Sequence, residues 1–183
     1  MMYRPVDVSR MLDRFTILAD TREHDTKDFV RRMDGTKHPW RREKLEFGDY
    51  SAEVTDDAGN LITLKHCIAI ERKMSLDELA MCFGIQRERF EREFERAAQM
   101  GGKIWLLVEN ATWERLYTGD YRSSIRPASL AASVISWARR YNMVPVFCCR
   151  TSTPKLIADI LRYELKGYFD GQHIDSPSQK RLS

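Results

Sequence analysis

The most chemically suggestive pattern in the sequence is the triplet Glu71-Arg72-Lys73, which directly follows the apolar residues 67–70. Such a run is typical of a buried strand. Side chains alternate along a strand, so Glu71 and Lys73 project from one face about 7 Å apart while Arg72 points away. One carboxylate and one ammonium are thereby aimed at the same place. The alternative is a surface ion pair on an edge strand, which the apolar run makes less natural.

Two further segments end in acidic residues. Asp20 closes the apolar run of residues 15–19, and Asp49 follows Gly48. If the strand after Asp49 pairs with the strand that ends in Glu71, with a turn near Gly59, the carboxylates of Asp49 and Glu71 come together. Taken alone, an aspartate after a glycine would be explained as turn chemistry.

Two desolvated carboxylates brought together repel each other, and a divalent cation is the usual resolution. Oxygen ligands without a convergent His or Cys favour Mg²⁺, with Mn²⁺ as a substitute, over zinc. Lys73 beside such an ion would position or deprotonate an attacking water and stabilise charge that builds on a phosphate. The pattern therefore predicts metal-dependent phosphodiester chemistry.

A basic segment offers a partner for that chemistry. The net charge of the chain is only +3, but six cations fall within fourteen residues: Arg31, Arg32, Lys37, Arg41, Arg42 and Lys44. We interpret this segment, with Trp40 inside it, as a DNA contact. A solvated basic loop is the alternative.

The remaining pattern predicts the elements that position these residues. Strands are expected at 15–19, 44–54, 61–64, 67–70, 103–108 and 144–149, of which the second to fourth form a three-strand meander with a turn at 56–60. Helices are expected at 25–33, from Ser75 with Glu78 completing a capping box, at 86–100 with a solvated charged face, from Pro127, and at 154–166. The order predicts an α/β domain with a mixed β-sheet flanked by helices.

One domain accounts for the length: residues 1–15 are expected to be an N-terminal extension, 16–167 the folded domain and 168–183 a polar, flexible tail. The four cysteines lack metal-type spacing, and no signal peptide or membrane-spanning stretch is present, so we expect an intracellular, reducing, cytoplasmic setting without a membrane partner. Leu130, Val134 and Trp137 could face a partner subunit or complete the core.

The strings Asp-Thr-Arg-Glu, Gly-Asp and Glu-Arg-Lys-Met-Ser-Leu-Asp, in that order over residues 16–150, resemble the nuclease domain of the XPF family. That family has the PD-(D/E)XK restriction-endonuclease-like fold and cuts flap, fork or branched DNA in repair and recombination. The resemblance implies that Asp49 and Glu71 bind the metal, with Asp20 nearby as a further acid and Lys73 as the catalytic lysine. Accessory positions are implied for four residues: Arg22, Glu23, Arg72 and Asp77. Arg22 with Glu23 could equally be a plain ion pair, and Asp77 could merely complement a helix dipole.

The sequence also departs from the family pattern, because it has neither the length nor the glycine hairpins for the tandem helix-hairpin-helix domain that usually follows. Substrate choice and any homodimer or partner protein are therefore open. The size would suit a stand-alone nuclease of phage or prophage origin. Two rival functions stand beside the main one: a catalytically silent DNA-binding scaffold, and a junction resolvase or restriction-type nuclease of the same fold.

Overall fold

A computed structural model describes residues 5–171 of the 183-residue chain. The helices are α1 (Pro5–Asp13), α2 (Lys27–Gly35), α3 (Leu76–Phe83), α4 (Arg87–Gln99), α5 (Trp113–Thr118), α6 (Pro127–Arg140) and α7 (Thr153–Phe169). The strands are β1 (Thr16–Asp20), β2 (Trp40–Glu43), β3 (Tyr50–Thr55), β4 (Leu61–Thr63), β5 (Ile68–Lys73), β6 (Lys103–Glu109) and β7 (Met143–Cys148), and a 3₁₀ turn (Arg150–Ser152) precedes α7.

The strands form one mixed sheet in the order β2-β1-β3-β5-β6-β7, with β4 paired to β3. Within residues 5–171, β3 runs antiparallel to its neighbours β1, β4 and β5, whereas the pairs β1–β2, β5–β6 and β6–β7 are parallel. The start of β3 therefore lies at the same end of the sheet as the ends of β1, β5 and β6. This topology confirms the predicted α/β class and brings distant acidic residues to one edge.

The β3–β4 hairpin is closed by the predicted turn, in which Asp56 Oδ1 accepts hydrogen bonds from the backbone N–H groups of Ala58 and Asn60. The three-strand meander is wrong, however, because β4 and β5 both pair with the same edge of β3. Residues 64–67 connect β4 to β5 along this edge of β3, and the Leu64 N–H donates to Ala52 O of β3 at 2.8 Å. β5 then continues along β3 as far as Tyr50.

Helices cover both faces of the sheet. Buried side chains of α1, α2 and α7 pack on one face, and those of α3 to α6 pack on the other. On the second face, the Trp137 ring lies 4.6 Å from that of Phe83 and 5.4 Å from that of Phe90. Leu130, Val134 and Trp137 are 0–1% exposed. These three residues complete the core, and the interpretation that they face a partner subunit is wrong.

Several elements differ from the sequence expectation. No strand is predicted between residues 34 and 43, but residues 40–43 form β2, parallel to β1. Its charged side chains lack the apolar alternation that would have indicated a strand. α5 was likewise not predicted. In the predicted N-terminal extension, α1 buries Met11 and Leu12 in the hydrophobic core that α1, α2 and α7 form on one face of the sheet.

α7 ends at Phe169, inside the segment expected to be a tail, because buried Leu165 and Phe169 extend its apolar face past Gly167. The remainder of the predicted tail, residues 172–183, lies outside the described residues. None of the helices found between residues 5 and 171 is long and apolar enough to cross a membrane.

Candidate active site

The acidic ends of three strands meet where β3 begins. The Asp20 N–H donates to Asp49 O, and the Asp49 N–H donates to Ile70 O, both at 2.8 Å. The Asp49 backbone is thereby held between the ends of β1 and β5. β3 therefore pairs with β5 beside Asp49, which is the condition set in the sequence analysis for Asp49 and Glu71 to approach each other.

The Gly48–Asp49 turn depends on glycine. Gly48 has φ of +70°, and a Cβ placed there would lie 2.6 Å from Ala69 Cβ. The turn directs Asp49 toward β5, where its Oδ2 accepts a hydrogen bond of 2.7 Å from the Arg72 backbone N–H. The Asp49 carboxylate is thus fixed by the same strand that carries Glu71.

Glu71 and Lys73 extend from one face of β5 into a cavity of about 320 Å³ that Asp49 also lines. Lys73 Nζ lies 2.5 Å from Glu71 Oε1 and 4.9 Å from the centroid of the Phe90 ring. Glu71 Oε2 is buried and has no hydrogen-bond partner within residues 5–171. A buried carboxylate oxygen without a donor is unfavourable unless another ligand completes its environment.

The electrostatics of the three groups follow from their enclosure. Burial and the neighbouring Glu71 carboxylate raise the pKa of Asp49 well above its usual range. Burial raises the pKa of Glu71 to about 7, despite the opposing effect of Lys73. Burial lowers the pKa of Lys73, but Glu71 and Asp49 raise it by more, so the ammonium is retained. The metal-free site therefore favours the binding of a proton or a cation.

These features fit a hard divalent cation. Asp49 and Glu71 offer carboxylate oxygens, and Cys82, which also lines the cavity, remains a thiol because burial raises its pKa to about 11. Among residues 5–171, no group of three or more His, Cys, Asp or Glu side chains is arranged to hold a metal by itself. Mg²⁺ typically takes one or two protein carboxylates and keeps waters or substrate phosphates as its other ligands, so a two-carboxylate site suits it.

Asp20 lies outside this cavity. Its Oδ1 accepts from the Arg22 backbone N–H at 2.7 Å and from Arg22 Nε at 2.6 Å, and its Oδ2 accepts from the Leu45 N–H at 2.8 Å. Both oxygens are therefore engaged by the protein itself. In this arrangement Asp20 ties the segments that flank Asp49 together, and it does not present its carboxylate to the cavity.

Glu93 of α4 is a site residue that the sequence did not reveal. Its Oε1 accepts a 3.1 Å hydrogen bond from the Gly48 N–H and lies 3.7 Å from Arg22 Nη2. It lines the cavity together with Gln86 and Arg89, so the charged face of α4, predicted to be solvated, also contributes to the site. The available signal was that Glu93 adjoins the buried stripe of that helix.

The accessory residues occupy different surroundings. Glu23 lines the cavity, and its Oε2 accepts from Tyr50 Oη at 2.9 Å. Arg72 points to the opposite face of β5, as strand alternation predicts, and makes a two-pronged ion pair with buried Glu109 at 2.7 and 2.8 Å. Asp77 accepts from the Arg122 N–H at 2.6 Å, which lowers the pKa of Asp77 and ties the start of α3 to a distant loop.

The predicted DNA-contacting cations are distributed over α2, β2 and the segments beside them. Arg41 pairs with Glu43 and Glu53, and Arg42 pairs with Asp25 and covers the Phe29 ring at 4.0 Å. Trp40 packs edge-to-face on Phe29 at 5.4 Å, so it is not an unpacked loop residue. Arg32 is mostly buried against Glu23. Arg31, Lys37 and Lys44 are exposed.

Comparison with known proteins places this geometry in a family. The ERCC4 domain family matches residues 19–163, so the chain belongs to that family and the XPF-family resemblance is confirmed. The fold is similar to that of XPF from Aeropyrum pernix, with a TM-score of 0.57 and 19% identity over 81% of this chain and 61% of that one. A structure described as XPF from Aeropyrum pernix, complex with DNA, matches with a TM-score of 0.55 and 18% identity over 93% of this chain and 68% of that one.

The chain thus spans 61% of the length of the first of these structures. Comparison with curated proteins gives no match. At this level of identity the likeness to the solved structures establishes the fold, and the activity is argued from the site.

Proposed function

We propose that the chain is a metal-dependent DNA endonuclease that hydrolyses phosphodiester bonds in flap, fork or branched DNA. The observation that carries this proposal is the meeting of Asp49 and buried Glu71 with Lys73 in the lining of one cavity, where Oε2 of Glu71 has no hydrogen-bond partner within residues 5–171. Membership of the ERCC4 domain family and the similarity to an XPF structure in complex with DNA support it.

Asp49 and Glu71 would hold Mg²⁺ or Mn²⁺. When bound, such an ion lowers the pKa of a water ligand and offsets charge on a phosphate. Glu23 and Arg22 line the cavity, and Glu93 accepts a hydrogen bond from Gly48 in the turn that carries Asp49. Despite burial, Glu71 and Asp49 raise the pKa of Lys73 and hold it as an ammonium in the metal-free site, and its proposed role is to contact the scissile phosphate or to position the water.

Partner and compartment follow from the same proposal. DNA is the polyanionic partner, and a homodimer or a second protein stays a prediction. We also propose an intracellular, reducing setting, which is supported by the four free thiols at Cys67, Cys82, Cys148 and Cys149.

The test is cleavage of labelled linear duplex, flap, fork and four-way junction DNA in Mg²⁺, Mn²⁺ and EDTA. The wild type should cut at least one branched substrate with either metal and none in EDTA. Asp49→Ala should abolish cleavage and leave DNA binding measurable, whereas Asp120→Ala, an exposed aspartate outside the cavity lining, should cut normally.

Each rival function has its own outcome in this panel. Preference for the linear duplex or the four-way junction would favour a restriction-type nuclease or a junction resolvase. Binding without cleavage of any substrate would favour the silent scaffold. Unchanged cleavage by Asp49→Ala would remove Asp49 from the site.

A further inference from the structure

A second cavity, of about 480 Å³, lies between α2 and the start of α7. We call it the α2–α7 cavity. Basic, acidic and small residues line it: Asp28, Arg31, Arg32, Gly35, Glu109, Arg150, Thr151 and Pro154. It shares no lining residue with the candidate active site.

The charges of the α2–α7 cavity are unevenly matched. Asp28 is a single carboxylate shared by two guanidinium groups, with Arg150 Nη2 at 2.8 Å and Arg31 Nη1 at 3.3 Å. The side chains of Arg31 and Arg150 stay 79% and 56% exposed. Ion pairs this exposed contribute little to stability, so both guanidiniums can turn to a stronger anion at small cost.

The backbone adds to this preference. α7 begins at Thr153 beside Arg150 and Thr151, and its N-cap Ser152 makes no side-chain capping hydrogen bond. The Thr153 N–H already donates to Arg150 O and Pro154 has no N–H, so α7 contributes mainly the positive end of its helix dipole, which stabilises anions. The two helices also approach closely, because a Cβ on Gly35 would lie 2.9 Å from Pro154 Cβ. The exposed guanidiniums of Arg31 and Arg150 are therefore the main groups of the lining that can bind an anion.

Two ion pairs connect the α2–α7 cavity to the candidate active site. Arg32, in the lining of the first, donates from Nη2 to Oε2 of Glu23, in the lining of the second, at 3.2 Å. Arg72, which follows Glu71, pairs with Glu109 of the α2–α7 lining. Residues of both linings thus lie at the end of the sheet where β5 and β6 finish.

We propose that the α2–α7 cavity binds a phosphate group through the guanidinium groups of Arg31 and Arg150. This inference rests on the proposed nuclease function for its favoured source, a backbone or terminal phosphate of the DNA that occupies the active site. Guanidinium groups recognise phosphate oxygens through paired, charge-assisted hydrogen bonds. Free inorganic phosphate offers the same chemistry and is distinguished by experiment.

The experiment compares the wild type with the double variant Arg31→Gln/Arg150→Gln. The control, Arg126→Gln/Arg139→Gln, removes equal charge from exposed positions at the two ends of α6. Fluorescence anisotropy in EDTA measures binding of labelled fork DNA over a range of salt concentrations, so that binding is recorded without cleavage. Binding of inorganic phosphate is followed by ³¹P NMR line broadening, and thermal unfolding verifies the fold of each variant.

We expect the Arg31/Arg150 variant to bind fork DNA roughly tenfold more weakly, with the slope of log affinity against log salt reduced by about 1 to 2 relative to the control. That result assigns the cavity to a DNA phosphate. Lost inorganic phosphate binding with unchanged DNA affinity assigns it to free phosphate. If the variant matches the control in both assays, the inference is overturned.

The same samples separate this inference from the proposed function. Cleavage in Mg²⁺ by the wild type tests the nuclease proposal without reference to Arg31 or Arg150. A wild type that binds DNA but never cuts it would contradict the nuclease assignment and leave the phosphate cavity supported by the binding data.

Discussion

Without metal, the carboxylate of Glu71 should destabilise the fold, and Glu71→Gln should therefore stabilise the metal-free protein. Burial raises the pKa of Glu71 from 4.5 to about 7. Each pKa unit corresponds to about 1.4 kcal/mol, so an ionised Glu71 costs on the order of 3 kcal/mol of folding free energy above pH 7. The glutamine amide oxygen can still accept a hydrogen bond from Lys73 Nζ, so the substitution removes charge and keeps the shape.

The sign of the pH dependence follows from the raised pKa. Well below pH 4.5 Glu71 is protonated in both the folded and the unfolded chain, and it imposes no penalty. As the pH rises toward 7, the unfolded chain releases the proton first, so the folded state loses stability progressively until Glu71 ionises in the fold as well. The difference between Glu71→Gln and wild type should therefore be near zero at pH 4.5 and largest at pH 8.

Differential scanning fluorimetry in EDTA at these two pH values measures the effect. At pH 8, about 3 kcal/mol corresponds to a Tm increase of roughly 6–12 °C for a chain of this size. Exposed Glu88→Gln in α4 is the matched control and should shift neither value. Added Mg²⁺ should raise the Tm of the wild type and not that of Glu71→Gln. A lower Tm for Glu71→Gln at pH 8 in EDTA, or a difference independent of pH, would refute the reasoning.

Three further outcomes are expected. Arg72→Met should lower the free energy of unfolding in urea by about 3–5 kcal/mol, because it strands buried Glu109 without its ion-pair partner; a loss under about 1 kcal/mol would contradict this. Glu93→Ala should raise the Mg²⁺ concentration for half-maximal cleavage by about tenfold. Glu93→Gln should raise it much less, because glutamine can still accept a hydrogen bond from the Gly48 N–H. Equal effects of the two substitutions would exclude a positioning role for Glu93. Gly48→Ala should lower the unfolding free energy by more than about 1 kcal/mol through its positive φ and its clash with Ala69, and an unchanged urea midpoint would count against the turn geometry.

The centre of the site could be predicted because local rules determine it. The alternation of β5 places Glu71 and Lys73 on one face and Arg72 on the other, and an apolar run marks that strand as buried. The turn chemistry at residues 56–60 fixes the reversal that brings Asp49 back beside Glu71. These inferences need only the geometry of paired strands.

The surroundings of the site depend on tertiary packing and could not be predicted. Glu93 reaches Gly48 because the apolar stripe of α4 sets the rotation of that helix over the sheet, whereas Arg92 and Glu95 nearby are exposed. Asp20 carries the same side chain as Asp49, yet the Leu45 N–H and Arg22 occupy its oxygens. No local pattern distinguishes these two aspartates.

The same holds for the cations. Arg31 and Arg150 are far apart in sequence and share Asp28 only because α2 and α7 pack together on one face of the sheet. Conversely, the sequence suggests that Arg41 and Arg42 are unpaired cations, but β2 places both guanidiniums beside carboxylates. Charge clustering along a chain therefore indicates a surface only after the pairing of those charges is known.

The central claim, that Asp49 and Glu71 jointly hold a divalent cation, is tested most directly by Mn²⁺ binding measured with electron paramagnetic resonance. Wild type and Glu88→Gln should take up Mn²⁺ with the same affinity, and Mg²⁺ should displace it. Asp49→Asn and Glu71→Gln should each weaken binding by roughly tenfold or more. Mn²⁺ binding that is unchanged in both variants would contradict the account.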